Sequence, residues 1–127
     1  MPNDARVRTL LDFPYTGQIL AQSQPAGTSA VSLFNLNGSN QKGATAYNLF
    51  IANVTGSAVV YSVYFTTGTT YNSTTALYYQ QTLAANQTDD IVFVNGLSFL
   101  VSTTHLAVQS GTGSAITYTL TGLIRTF

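Results

Sequence analysis

One histidine and two adjacent aspartates of the four in the chain are the first candidates for acid–base chemistry. His105 is the only imidazole, and Asp89 and Asp90 follow each other directly. General-base catalysis needs an orienting partner and a nearby nucleophile, and no local motif selects one of the many serines for that role. Successive residues of a strand point to opposite faces, so the two aspartates cannot form the facing carboxylate pair of a glycosidase. We therefore predict that the protein is not an enzyme and has no catalytic residue.

The sequence also lacks the residue patterns that bind metals and phosphates. The chain has no cysteine and no glutamate, which excludes thiolate zinc sites. Asn86, Asp89 and Asp90 lack the Asp-x-Asp-x-Asp-Gly spacing of a calcium loop. Lys42 lies in a glycine-containing loop, but the order differs from the Gly-x4-Gly-Lys-Ser/Thr of a P-loop. We expect no metal and no cofactor.

Tyrosines are the best candidates for a binding surface. Tyr71, Tyr78 and Tyr79 lie within or just after a polar stretch, residues 66–75. Tyrosine combined with Asn, Ser and Thr is the composition of adaptable binding surfaces. Such rings stack on sugars, anchor subunit interfaces, or pack in a core with the hydroxyl at its rim. All three interpretations are open at this point.

The chain as a whole is nearly uncharged, which limits the partners that it can bind. Charged residues make up 6% of the 127 residues and the net charge is zero, whereas about 25% is usual. Nucleic-acid binding and polybasic membrane anchoring both need clustered Lys and Arg, and no segment reaches the roughly 20 apolar residues of a membrane span. We predict neither partner. Near-zero net charge favours association, which suits a subunit of a permanent assembly.

The distribution of charge divides the chain into an N-terminal segment, residues 1–26, and a body, residues 27–127. Half of the charged residues lie in the first twelve positions, and Pro14 and Pro25 disfavour helix at the residues before them. The segment is either an extended arm that docks on another protein or a first strand of the body with its lead-in. As an arm, it contributes these partner-binding candidates: Arg6, Arg8, Asp12, Phe13 and Tyr15.

The body shows the period-two alternation of β-strands. Apolar residues occupy every second position in 116–121, where threonines lie between them, and one face of 59–65 and of 47–51 is apolar in the same way. Further strands are predicted at 28–36, 76–83, 90–94, 97–103 and 105–109. Asn37-Gly38 and Asn95-Gly96 favour the positive φ of tight turns. This pattern predicts an all-β antiparallel β-sandwich of about eight strands, either a jelly roll or a Greek key. The inward-facing residues are expected to be Tyr47, Leu49, Ile51, Val59, Tyr61, Val63, Ile116, Tyr118 and Leu120.

The body also resembles a known class of proteins. Residues 47–65 read as a strand, the turn Asn-Val-Thr-Gly and a second strand; LAANQT follows at 83–88, and SAITYTLTGLI closes the body at 114–124. Over about residues 28–124 this pattern resembles small β-sandwich virion proteins of tailed bacteriophages. The resemblance implies a structural protein without a cofactor, which serves in capsid decoration (as a cement protein) or in the tail or fibre.

The sequence has no coiled-coil or triple-β stalk of the kind that receptor-binding fibres have, which favours the capsid over the tail. The resemblance to decoration proteins implies a homo-oligomer, with a trimer favoured because these proteins often sit on local three-fold axes. The implied partner is the major capsid protein or another virion protein, and the implied location is the capsid surface of the virion. The alternative is a tail- or fibre-associated module that binds a receptor or carbohydrate through the tyrosine-rich loop.

Overall fold

The computed structural model of the chain describes residues 18–37 and 41–126. These residues form eight β-strands and no helix: β1 (Ile19–Ser23), β2 (Val31–Phe34), β3 (Gln41–Asn53), β4 (Val59–Thr67), β5 (Ala76–Leu83), β6 (Thr88–Phe99), β7 (Thr104–Ser110) and β8 (Ile116–Thr126). Within the same two ranges there is no helix long and apolar enough to span a membrane.

The eight strands form two antiparallel sheets of four. The first sheet has the order β1-β8-β3-β6 and the second the order β2-β7-β4-β5. The pairs β1–β8, β2–β7, β3–β6 and β4–β5 join the first half of the chain to the second half in reverse order. A long hairpin wound in this way into two sheets is a jelly roll. The predicted antiparallel sandwich is confirmed, and the jelly roll is the topology that it adopts.

The Asn95-Gly96 dipeptide does not separate two strands. Both residues have the predicted positive φ, 67° and 81°. They nevertheless lie inside β6, because the residues before and after them pair with the same strand, β3. Val92 is opposite Asn48 and Leu97 is opposite Ala46, so the dipeptide forms a bulge. The prediction of separate strands at 90–94 and 97–103 was therefore wrong.

Residues 19–23 belong to the sandwich and not to an arm. They form β1 and pair antiparallel with β8, for example Gln22 with Thr119 and Ser23 with Tyr118. The sandwich therefore begins before the boundary predicted between residues 26 and 27. Residues 1–17 lie outside the described residues, so an arm in that segment stays a prediction.

The core contains all but one of the residues expected there. Leu49, Ile51, Val59, Tyr61, Val63, Ile116, Tyr118 and Leu120 are buried. Tyr47 is only half-buried, because β3 has an irregularity between Ala46 and Asn48 in its pairing with both neighbours. Tyr47 is an extra residue at this point, so even-numbered residues face inward before it (Ala44 and Ala46) and odd-numbered residues face inward after it (Leu49 and Ile51).

Tyr118 joins the two sheets through its buried hydroxyl. The hydroxyl oxygen lies 2.7 Å from Oγ of Ser110 and donates to the main-chain carbonyl of Gln109 at 3.2 Å. Burial raises the pKa of Tyr118 to about 12. Because the folded pKa is above the ordinary value of about 10, its contribution to stability is complete below pH 10 and is lost as the pH rises through 12.

We expect the unfolding free energy to fall between about pH 10 and 12 and the fall to be smaller in Tyr118→Phe. The variant also starts lower at neutral pH, because Ser110 loses its partner; the pH slope is therefore the informative quantity. Urea unfolding followed by circular dichroism at several pH values measures it. Tyr79→Phe, at an exposed position, is the control and should keep the wild-type slope. Equal slopes in Tyr118→Phe and the wild type would contradict the assignment.

Candidate functional site

The two adjacent aspartates have separate partners on opposite faces of β6, as the alternation predicted. Asp89 points between the sheets, where Oδ2 accepts a hydrogen bond from the Tyr61 hydroxyl at 2.8 Å. Asp90 points outward, and its Oδ1 accepts from Nδ2 of Asn48 at 2.9 Å. Burial, together with the Asp89 hydrogen bond, raises the pKa of Tyr61. The two carboxylates therefore do not share a site.

His105 lies on the outer face of the second sheet. Its Nδ1 is 2.8 Å from Oγ of Ser32, a partner that the sequence did not indicate because only the β2–β7 pairing brings the two residues together. Asp89 and Asp90 are on the first sheet, and neither carboxylate faces this surface. The described residues also contain no group of three or more His, Cys, Asp or Glu that could hold a metal ion.

The tyrosines proposed for one binding surface occupy three different environments. Tyr71 is half-buried, and the centre of its ring lies 6.0 Å from the centre of the Tyr64 ring, with an angle of 34° between the ring planes. Tyr78 is opposite the buried Val63, so its side chain is on the inner side at the edge of the sandwich. Tyr79 faces outward. The other candidates lie outside the described residues: Arg6, Arg8, Asp12, Phe13 and Tyr15.

A bulge in β5 controls where Tyr79 and Gln80 point. Tyr61 pairs with Gln81 and Val63 pairs with Tyr78. Ser62, between Tyr61 and Val63, is therefore opposite both Tyr79 and Gln80, the two-against-one arrangement of a β-bulge. Gln80 has φ 53°, and its main-chain N–H donates to Oγ of Ser62 at 2.9 Å. The bulge brings two consecutive side chains to the outer face of the second sheet.

A cavity of about 190 Å³ lies beside this bulge, and we call it the Ser62 cavity. Gln109 forms part of its wall and is held at both ends of its amide. Its Oε1 accepts from the Tyr64 hydroxyl at 2.5 Å, and its Nε2 donates to the carbonyl of Thr28 at 3.1 Å. The side chains that form the cavity include Thr28, Val60, Ser62, Tyr79, Gln80 and Gln109. Among the described residues, none that lines the cavity is charged.

The outer surface combines few charges with many apolar groups. The described residues include four charged side chains, Lys42, Asp89, Asp90 and Arg125, against twelve large hydrophobic side chains that are exposed. Three of these, Leu77 of β5 and Val92 and Val94 of β6, lie on two consecutive strands that each end their sheet and are joined by the short connection of residues 84–87. Val92 and Val94 are 60% and 81% exposed. We call these three residues the β5–β6 side.

All four edge strands are irregular. The pairing of β1 with β8, of β2 with β7, of β6 with β3 and of β5 with β4 each contains a register shift. The inner pair β4–β7 has none. Bulges on edge strands hinder pairing with the strands of another molecule. A contact with another protein therefore has to use side chains more than the free backbone of the edges.

Comparisons with known proteins found no matching family, no matching curated protein and no matching solved structure. The resemblance to phage virion proteins stays an expectation from the pattern of strands and turns. Function is therefore argued from the surface and the Ser62 cavity.

Proposed function

We propose that the protein is a non-enzymatic structural subunit of a tailed-phage virion. In this proposal it is a capsid decoration protein that binds the major capsid protein as a homo-oligomer. The observation that carries the proposal is the chemistry of the described residues, which include only four charged side chains but twelve large hydrophobic ones that are exposed. Charge keeps proteins dispersed, and exposed apolar patches mark contact sites. Such a surface suits a subunit that is permanently covered by neighbours.

The topology supports this proposal only as an analogy. Jelly rolls occur in viral capsid proteins and also in lectins, and one fold hosts many functions. The sequence resemblance favours the first class. The non-enzymatic part rests on the sequence argument, and the positions of Asp89 and Asp90 fit it, because neither of these two carboxylates faces His105 to orient the imidazole as in a hydrolase triad.

The β5–β6 side is the proposed contact between the copies of the oligomer, with a trimer favoured. It contains the most exposed apolar side chain of the sandwich, Val94. Its contacts are made by side chains, since both edge strands are bulged. Few ions are available for salt bridges, so the contact should be insensitive to salt.

We expect the double variant Val92→Lys with Val94→Lys to be monomeric, because two lysine charges would lose their water in an apolar contact that offers few carboxylates to pair with them. The wild type should remain oligomeric in about 1 M salt, where the screening length is roughly 3 Å. Light scattering coupled to size exclusion measures both. Val54→Lys, at an exposed valine in the loop between β3 and β4, is the control. A monomeric wild type at tens of micromolar, or a control that dissociates equally, would reject the interface.

The location in the particle is tested on virions that carry the chain. Antibody labelling in electron micrographs should mark the head, and labelling confined to the tail would support the receptor-binding alternative.

A deletion that tests the arm should end at residue 17, because β1 begins at Ile19 and a longer deletion removes a strand. The shortened protein should fold and lose binding to undecorated heads. Equal binding would remove the docking role of the segment.

A further inference from the structure

The Ser62 cavity depends on a backbone distortion that a regular β4–β5 hairpin would not contain. Gln80 is held at φ 53°, a region that residues other than glycine rarely adopt. Strained positions that persist in a folded protein cluster at ligand sites. Here the strain has a specific geometric result, since it directs the side chains of both Tyr79 and Gln80 to the outer face beside Ser62.

The polar groups of the cavity are neutral and retain unused hydrogen-bonding capacity. Ser62 is 4% exposed and accepts from Gln80, but its own hydroxyl proton has no acceptor among the described residues. Gln109 has two amide hydrogens, of which the one bonded to Thr28 is used. The side-chain amide of Gln80 has no partner within the described part of the chain. These groups fit the hydroxyls of an uncharged ligand.

The size and the aromatic wall restrict the ligand further. A volume of about 190 Å³ is below the roughly 300–1,000 Å³ of pockets that hold drug-sized ligands, so it suits one small ring, such as a single six-membered sugar ring. Tyr79, 43% exposed, offers an apolar ring face to the C–H groups of such a ring. We propose that the Ser62 cavity binds one neutral monosaccharide unit of a glycan, with Tyr79 as the stacking platform and Ser62, Gln80 and Gln109 as hydroxyl partners.

Titration of the full-length, isotope-labelled protein with methyl glycosides of glucose, galactose and mannose and with N-acetylglucosamine tests the proposal. At least one of them should shift the amide resonances of Ser62, Gln80, Gln109 and Gly111 with a Kd of about 1 mM. N-acetylneuraminic acid, which is charged, should bind more weakly. The proposal is overturned if none of the four neutral sugars moves these resonances, or if the shifts fall elsewhere on the protein.

Two variants separate the cavity from the rest of the tyrosine-rich region. Tyr79→Ala should weaken binding by at least about tenfold, whereas Tyr78→Ala, at the neighbouring tyrosine on the inner side of β5, should not. Gln80→Gly removes both the amide and the strain at φ 53°, so it should weaken binding and raise the melting temperature. Equal losses in the two tyrosine variants, or no loss in Tyr79→Ala, would overturn the site. The oligomer measured by light scattering is unaffected by either result, so the two proposals fail separately.

Discussion

Replacing Phe99 by alanine is expected to lower the free energy of unfolding by about 3–5 kcal/mol. Phe99 is fully buried, and its ring packs edge-on against two others. The distance between ring centres is 4.9 Å to Phe34 and 5.4 Å to Phe65. Phe99 is on the first sheet, and the other two rings are on the second. Truncation therefore removes the transfer free energy of a large side chain and leaves a cavity between the sheets, where rigid strands limit collapse.

The control is Phe50→Ala, the same substitution at a position that is 36% exposed on the outer face of the first sheet. Its cost should be well below that of Phe99→Ala, because water already covers part of the ring. Urea unfolding of both variants gives the comparison, and the slope of the transition should match the wild type in each. Similar losses in the two variants would mean that the inner and outer faces of β6 and β3 are assigned incorrectly.

Gly122→Ala is expected to cost more than about 4 kcal/mol or to prevent folding. A Cβ at this position would overlap the carbonyl oxygen of Thr45 and lie 2.9 Å from both Cα of Ala46 and Cδ1 of Leu20. Gly122 is in β8, which pairs with β1 on one side and β3 on the other. The strands cannot move apart to admit a methyl group without losing hydrogen bonds of the ladder.

Gly56→Ala provides the matched control for this effect. A Cβ at Gly56 would meet nothing within 4 Å, and its φ is outside the left-handed region. Alanine there should be neutral or stabilise by about 0.4–1 kcal/mol, since it restricts the unfolded chain. Thermal unfolding and the yield of soluble protein compare the two variants. A Gly122→Ala protein that melts at the wild-type temperature would show that β8 does not approach β3 this closely.

The local pattern of the sequence predicted the strands that alternate regularly. Apolar residues recur at every second position in 59–63 and 116–120, and β4 and β8 include them with the expected faces inward. The bounds of β5, residues 76–83, were also predicted. Period two is a property of the chain itself, because successive side chains of any strand point to opposite sides. The same property predicted that Asp89 and Asp90 would separate.

Irregular strands were not predictable in this way. β1 has no steady alternation and is a strand because β8 lies beside it. The positive φ of Asn95 and Gly96 was expected, yet a hairpin turn and a bulge use the same backbone conformation. Only the pairing of both halves of β6 with β3 distinguishes the two.

The sequence by itself determined the class of the fold and a surface chemistry that is neutral and rich in tyrosine, serine, threonine and amides. Tertiary structure alone decided which of these groups meet. The Ser62 cavity joins Thr28, Ser62, Gln80 and Gln109 from four separate parts of the chain, and their meeting depends on the register of β4 with β5 and β7. Register is the outcome of all strands packing their apolar faces together, so no single segment encodes it.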